Sequence, residues 1–302
     1  MYDAVSVCLT YLSNTHMQAI SIYDQAISIY NQAPDGNFHA IAGAYARLGA
    51  IFGGQSNNNA SLHSWKKALK IYSKHLGRES SAVGEILYHI GRVYDRQAIF
   101  DKSISCLSEA TNLLRSKCKD NEMVGLALGC IGKYYARTKQ FAKAVEVSFE
   151  AVKLLKKFSE AVVTAEAIVD AGTILKGWGR TKYAMHFFIE AFQTYEEILG
   201  PNSVEVASSR YNIGHLQKQI GESKSALIYF TESLRVYHLI EGERSLNIAN
   251  NLFQIGCIYN DLGEKGKSQE IFGKCLGIRA SILGDEHLEV LAARRCFNAK
   301  RI

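Results

Sequence analysis

The chain has 302 residues, 47% of them hydrophobic, and a formal net charge of +6. No apolar run approaches the ~18 residues of a membrane span, and so modest a charge does not by itself imply nucleic acid, which takes a basic stripe. The opening "MYDAVSVCLTYL" carries Asp3 and lacks a basic leader, so it reads as a helix rather than a secretory signal.

From that opening onward the chain repeats itself. Gly49, Gly91, Gly132, Gly172, Gly214 and Gly256 are equivalent positions, with steps of 42, 41, 40, 42 and 42 residues. A step of 42 back from Gly49 lands on Val7, and 42 forward from Gly256 lands on Asn298. The first copy is incomplete, but Ala19, Tyr23 and Ala26 fit its second helix. A fixed period in this range predicts a solenoid of stacked repeats.

Each copy carries the same pattern around its anchor glycine. Three residues on stands a large side chain in most copies: Phe52, Tyr94, Tyr135, Leu175, Tyr259. Twelve on is small: Ser61, Ser103, Ala144, Ala184, Ala226, Ser268. Sixteen on is mostly large: Trp65, Leu107, Ser148, Phe188, Phe230, Phe272. Nineteen on is small again: Ala68, Ala110, Ala151, Ala191, Ser233, Cys275. Residues three and four apart share a helix face, so each copy predicts two antiparallel helices, A and B, brought close by small residues. Gly179, Gly221 and Gly263 sit seven after the anchor, where helix A must stop. Helix B stops at Gly77, Gly200 and Gly284, and the only prolines, Pro34 and Pro201, fall between copies.

This small–large pattern resembles the tetratricopeptide repeat. The period of 40–42 and the linker "LGPNSVEVASSRYNIG" (199–214), echoed by "ILGDEHLEVLAARRCFN" (282–298), resemble the kinesin-light-chain type of that repeat. His287, Asn212 and the Asn250–Asn251 pair are what survives here of that type's His-Pro and paired asparagines, and its heptad coiled coil is missing. The resemblance implies an all-α, right-handed superhelical solenoid of antiparallel helix pairs. We expect a single array of about seven repeats at 1–41, 42–83, 84–124, 125–164, 165–206, 207–248 and 249–287, with a capping helix over 288–302. Both ends fall inside helical patterns, which reads as a piece of a longer array.

Chemistry is hard to find. "GEKGKS" (263–268) has Gly-Lys-Ser but too few residues between its glycines for a P-loop, and reads as a turn with surface lysines. There is no HExxH, and the nine histidines show no metal-ligand spacing. There is no GxSxG elbow. The Asn59-Ala60-Ser61 sequon means little without a signal peptide. Seven cysteines without a CxxC pair point to reduced, partly buried thiols and a cytoplasmic protein. No enzyme activity, metal or cofactor is expected.

In tetratricopeptide arrays the A helices line a concave groove, and the resemblance assigns its positions here. They are Arg47; Glu85, Tyr88, His89, Arg92, Asp95 and Arg96; Lys133 and Arg137; Glu166, Asp170 and Lys176; Tyr211, Asn212, His215, Lys218 and Gln219; Asn250, Phe253, Gln254 and Asn260. Cations gather in the middle (Arg92, Arg96, Lys133, Arg137, Lys176), amides follow, and Tyr88, Tyr211 and Phe253 interleave. Arginines grip carboxylates, amides pair with an extended backbone, and aromatics anchor apolar side chains. The set suits an acidic peptide with a bulky residue, though water-facing residues are mostly polar in any solenoid.

The expected function is therefore a non-catalytic protein–protein interaction scaffold that binds a linear, acidic motif of a partner. The alternative is a sensor or regulatory array of a larger NTPase or signalling protein. A membrane partner is not expected. Nucleic acid is disfavoured, though the basic middle keeps it testable by salt dependence.

Overall fold

A computed structural model of the chain describes residue 18 and residues 20–28, 37–118 and 121–298. Val7 and Ala19, assigned above to the first copy, and Pro34, placed between copies, lie outside the described residues, as do residues 299–302 of the expected capping helix. The described residues contain helices and turns and no strand. Residues 20–28 (α1) are followed by α2 (Phe38–Gly54), α3 (Asn58–Leu76), α4 (Ser81–Arg96), α5 (Phe100–Cys118), α6 (Glu122–Arg137) and α7 (Phe141–Phe158). Then come α8 (Ala161–Gly177), α9 (Thr181–Leu199), α10 (Val204–Gln219), α11 (Ser223–Glu241), α12 (Leu246–Asp261), α13 (Lys265–Leu283) and α14 (Leu288–Asn298). The chain forms two compact units, one ending at Ser159 and the other beginning at Glu160.

Each A helix starts at a side-chain cap in five of its six copies. Asn37, Ser80, Asn121, Ser203 and Ser245 accept a hydrogen bond from the backbone N–H three residues on, at 3.0–3.4 Å. Such a cap contributes about 1 kcal/mol. Only Glu160, ahead of α8, makes none.

The A-to-B turn is the same in all six pairs. Seven residues after each anchor the backbone is left-handed: Ser56 (φ 59°), Ala98 (58°) and Lys139 (60°) in the first unit, Gly179 (75°), Gly221 (87°) and Gly263 (77°) in the second. The next residue's N–H then reaches back five positions to a helix carbonyl, as in Ile99 N to Tyr94 O at 2.9 Å and Glu264 N to Tyr259 O at 2.9 Å. This is the Schellman closure, which satisfies carbonyls the helix end would leave bare. The glycines expected to stop helix A do so, but the first unit makes the same turn without glycine. A non-glycine residue there carries roughly 1–2 kcal/mol of strain. Ala98→Gly should therefore raise the stability of the first unit by about 0.5–1 kcal/mol, part of the relief being offset by the freer unfolded chain. Urea denaturation followed by circular dichroism checks this, and a loss of stability would contradict it.

The core is the periodic set. The residues twelve, sixteen and nineteen after the anchor are buried in every pair, from Ser61, Trp65 and Ala68 to Ser268, Phe272 and Cys275. Ala110, Ala151, Ala191 and Ala226 are 0–1% exposed, as close helix–helix contact requires. The anchor glycine is small because the residue sixteen on lies against it. A Cβ on Gly91 would come within 2.7 Å of Leu107, and one on Gly256 within 2.9 Å of the Phe272 ring. Where the residue twelve on is serine, its hydroxyl donates to the anchor's carbonyl: Ser61 to Gly49 (2.7 Å), Ser103 to Gly91 (2.9 Å) and Ser268 to Gly256 (2.9 Å). In the second unit α14 lies on α13 and buries Val290 and Ala293 completely.

Candidate functional site

The expected site residues lie on the A helices at varied depth, and the two units arrange them differently. In the first unit, Arg92 and Arg96 stand one turn apart on α4, both exposed. Arg92 Nη1 donates to the Tyr88 hydroxyl at 3.3 Å, and Arg96 Nε donates to Asn58 Oδ1 at 3.2 Å. Neither contact brings negative charge. Burial and the neighbouring Arg92 pull the Arg96 guanidinium below its ordinary value. His89 stacks on Trp65, ring centroids 4.3 Å apart and 4° from parallel. Burial, then Arg92 and Arg96, lower its pKa to about 4. Burial raises the pKa of the Tyr88 phenol, and Arg92 and Lys133 on α6 oppose that rise without overcoming it.

Two expectations change here. Tyr88, expected at the water-facing surface, is 3% exposed and belongs to the core with Val83, Leu107 and Leu128. Arg92 meets it at the hydroxyl and also lies 5.7 Å from the ring centre. Arg137, expected as one of a band of cations, is paired with Asp95 at 2.8 Å and lies over the Phe100 ring at 4.6 Å. Its charge is balanced within the unit. Arg47 is exposed on α2 and is joined to none of the others.

In the second unit, cations meet amides. Lys176 Nζ on α8 donates to Asn212 Oδ1 on α10 at 3.3 Å, and Lys218 Nζ on α10 donates to Gln254 Oε1 on α12 at 3.3 Å. The rule is positional: the lysine four after one anchor meets the amide two before the next. Burial lowers the Lys176 pKa, and no carboxylate opposes it. His215 sits by both lysines. Burial, then Lys176 and Lys218, lower its pKa, and its Nδ1 is buried without a partner. Tyr211 and Phe253, expected as apolar anchors, are half-buried and meet Phe230 and Phe272 edge-on at 5.4 and 5.6 Å.

Sequence reasoning missed Arg279. This α13 residue is 6% exposed. Its Nη2 donates to Asn250 Oδ1 at 2.8 Å, its Nη1 to the Glu289 carbonyl at 3.1 Å, and its guanidinium lies 4.8 Å from the Phe253 ring centre. Asn250, expected to bind a peptide backbone, thus has its oxygen occupied by Arg279. A signal existed. The position 23 after the anchor holds Tyr72, Leu114, Leu155, Tyr195 and Tyr237 in the other copies, so a cation there is an anomaly in a core position.

The histidine in the first unit sets a pH dependence. Its folded pKa lies below the ordinary 6.5, so the unfolded chain binds the extra proton first. The stability His89 contributes is full above pH 6.5 and is lost as pH falls towards 4. His89→Gln should flatten the stability profile across that window, as read by denaturation at several pH values. A profile parallel to wild type would rule this out.

Among the described residues no cluster of three metal-ligating side chains occurs, and no helix is long and apolar enough to cross a membrane. Two family models, both described as tetratricopeptide repeat, match residues 184–238 and 249–282. A comparison with curated proteins returns no match. Solved structures match in fold. BtubC (BKLC) from P. vanneervenii superposes with a TM-score of 0.63 at 19% identity, over 80% of this chain and 93% of that one. A putative kinesin light chain from Podosopora anserina, with nearly identical TPR-like repeats, gives 0.56 at 11% identity over 65% and 93%. A signal transduction ATPase with numerous domains and a tetratricopeptide repeat sensor, from Pyrococcus horikoshii, gives 0.70 at 11% identity over 91% of this chain and 40% of that one. Residues 184–238 and 249–282 thus carry tetratricopeptide repeats, and the fold is that of a tetratricopeptide-like helical solenoid that resembles kinesin-light-chain-type repeats.

Proposed function

We propose that the protein is a non-catalytic interaction scaffold whose A-helix faces bind an acidic, extended segment of a partner protein. Helical repeats of this kind present long surfaces suited to such binding. One observation carries the acidic preference: Lys176 and Lys218 have amide partners, not carboxylates, with a neutral His215 between them. An incoming carboxylate supplies the missing charge, while Asn212 and Gln254 can turn to the ligand's backbone. In the first unit Arg92 and Arg96 offer a second such place. Arg137 contributes less, because Asp95 already answers it.

The test is a titration of a library of extended Asp/Glu-rich peptides, each with one bulky residue, against wild type and the single variants Lys218→Glu and Arg96→Glu. A charge-assisted hydrogen bond contributes ~1.5–3 kcal/mol. Each reversal should therefore weaken binding at least tenfold with an unchanged melting temperature, and added salt should weaken it further. Equal binding by all three proteins would leave both faces merely solvated.

The likeness to the Pyrococcus horikoshii ATPase favours a second reading, in which the repeats are a sensor for a larger NTPase or signalling protein. A full-length gene product carrying a nucleotide-binding domain would replace the first reading with this one.

A further inference from the structure

A second charged surface lies away from the A-helix faces. Lys66, Lys70 and Lys74 fall four residues apart on α3, and Arg78 continues the row just past its end. They border a cleft of about 530 Å³ in the first unit, between α3 and the following pair α4 and α5. The cleft has an apolar floor of Leu69, Val83 and Leu87, of which Val83 is 2% and Leu87 6% exposed.

The row is electrostatically unbalanced. All four cations are exposed, and none makes an ion pair with a described residue. The α3 sequence NNASLHSWKKALKIYSKHL holds no acidic residue at all. Glu109 on α5 is the one acid that lines the cleft. Like charges four apart on a helix repel and weaken it, so folding alone does not explain the row. The spacing is specific: four residues at 1.5 Å rise is about 6 Å, the interval between carboxylates at i and i+4 of another helix. A flat lipid surface would meet the lysine tips without reaching Leu69 at the cleft floor. A sugar–phosphate backbone would use the cations and leave the apolar floor bare.

We propose that this cleft docks an amphipathic acidic helix of a partner protein. Carboxylates one turn apart lie along Lys66, Lys70, Lys74 and Arg78, and the apolar stripe beside them covers the half-buried Leu69 and the aliphatic stems of the lysines, above the closed Val83 and Leu87. Its cations stand on α3 and just past its end, and none of them belongs to the A-helix residues proposed above to bind a peptide, so the two sites share no charged residue.

The experiment uses the full chain and a fluorescein-labelled 18-residue helical peptide, with Glu at every fourth position, Leu on the adjoining stripe and Ala elsewhere. A second peptide of the same composition distributes its Glu residues around the helix. Anisotropy titrations are run on wild type, on Lys70→Glu/Lys74→Glu, and on Lys224→Glu, an exposed α11 residue, as a control from the other unit. Lys70→Gln/Lys74→Gln guards against a folding defect in the charge-reversed protein. The ordered peptide should bind at least tenfold more tightly than the scrambled one. Both double variants should lose at least tenfold, and Lys224→Glu should bind like wild type. Equal affinity for the two peptides, or no loss in the double variants, overturns the proposal. So does variant-sensitive binding to phosphatidylserine vesicles or to poly-dT without binding of the ordered peptide.

Discussion

Phe230→Ala should destabilise the second unit by about 3–5 kcal/mol, as expected for emptying a fully buried aromatic site. The ring is 0% exposed and sits between the two helices of its own pair and the helix that follows. On one side it touches the Gly214 position, where even a Cβ would approach it to 3.2 Å. On the others it meets the edge of Tyr211 and the side chains of Ile255 and Ile258. The surrounding backbone is helical throughout, so it cannot collapse into the void. Urea denaturation of wild type and variant measures the difference. A cost below 1 kcal/mol would mean that the residue sixteen after the anchor does not hold the pair together.

Removing residues 285–302 should cost on the order of 3 kcal/mol or more, because the burial of Val290 and of the α13 surface beneath it is lost. Ala293 belongs to the same cluster as Cys275, Ile248 and Leu252, all closed to water in the intact unit. The truncation also strips Arg279 of both its contacts with Glu289, the main-chain hydrogen bond and the 3.6 Å approach to the carboxylate. The shortened protein should melt lower and associate through its newly bared α13. Unchanged melting and solubility would remove the capping role of α14. Arg279→Leu in the full chain keeps the apolar burial under α14 and deletes the links to Glu289 together with the Asn250 hydrogen bond, so its cost bounds the polar share from above.

Periodicity made the core legible, because small and large side chains must recur wherever helices pack in the same way. The anchor glycines, the alanines nineteen on and the turn positions all follow from spacing alone. The candidate site was less legible. Spacing places a residue on the A-helix face but says nothing of how deep it sinks, so Tyr88 was expected in water and is in the core. Nor does spacing show what a long side chain reaches on a neighbouring helix. Arg137 finds Asp95, Lys176 finds Asn212, and Arg279 finds Asn250, each between residues at least 29 positions apart. These pairings depend on side-chain length and on the offset between successive helices.

The left-handed turn separates what a repeat needs from what makes it recognisable. All six turns have the same backbone, yet only the second unit marks them with glycine. Both tetratricopeptide family matches fall in that unit. Exchanging glycine for Ser, Ala or Lys at one turn costs roughly 1 kcal/mol, a loss that a stack of cooperating repeats absorbs. Ancestral arrays can thus shed their most conspicuous residues one at a time while their geometry persists, and kinship fades from the letters well before it fades from the coordinates.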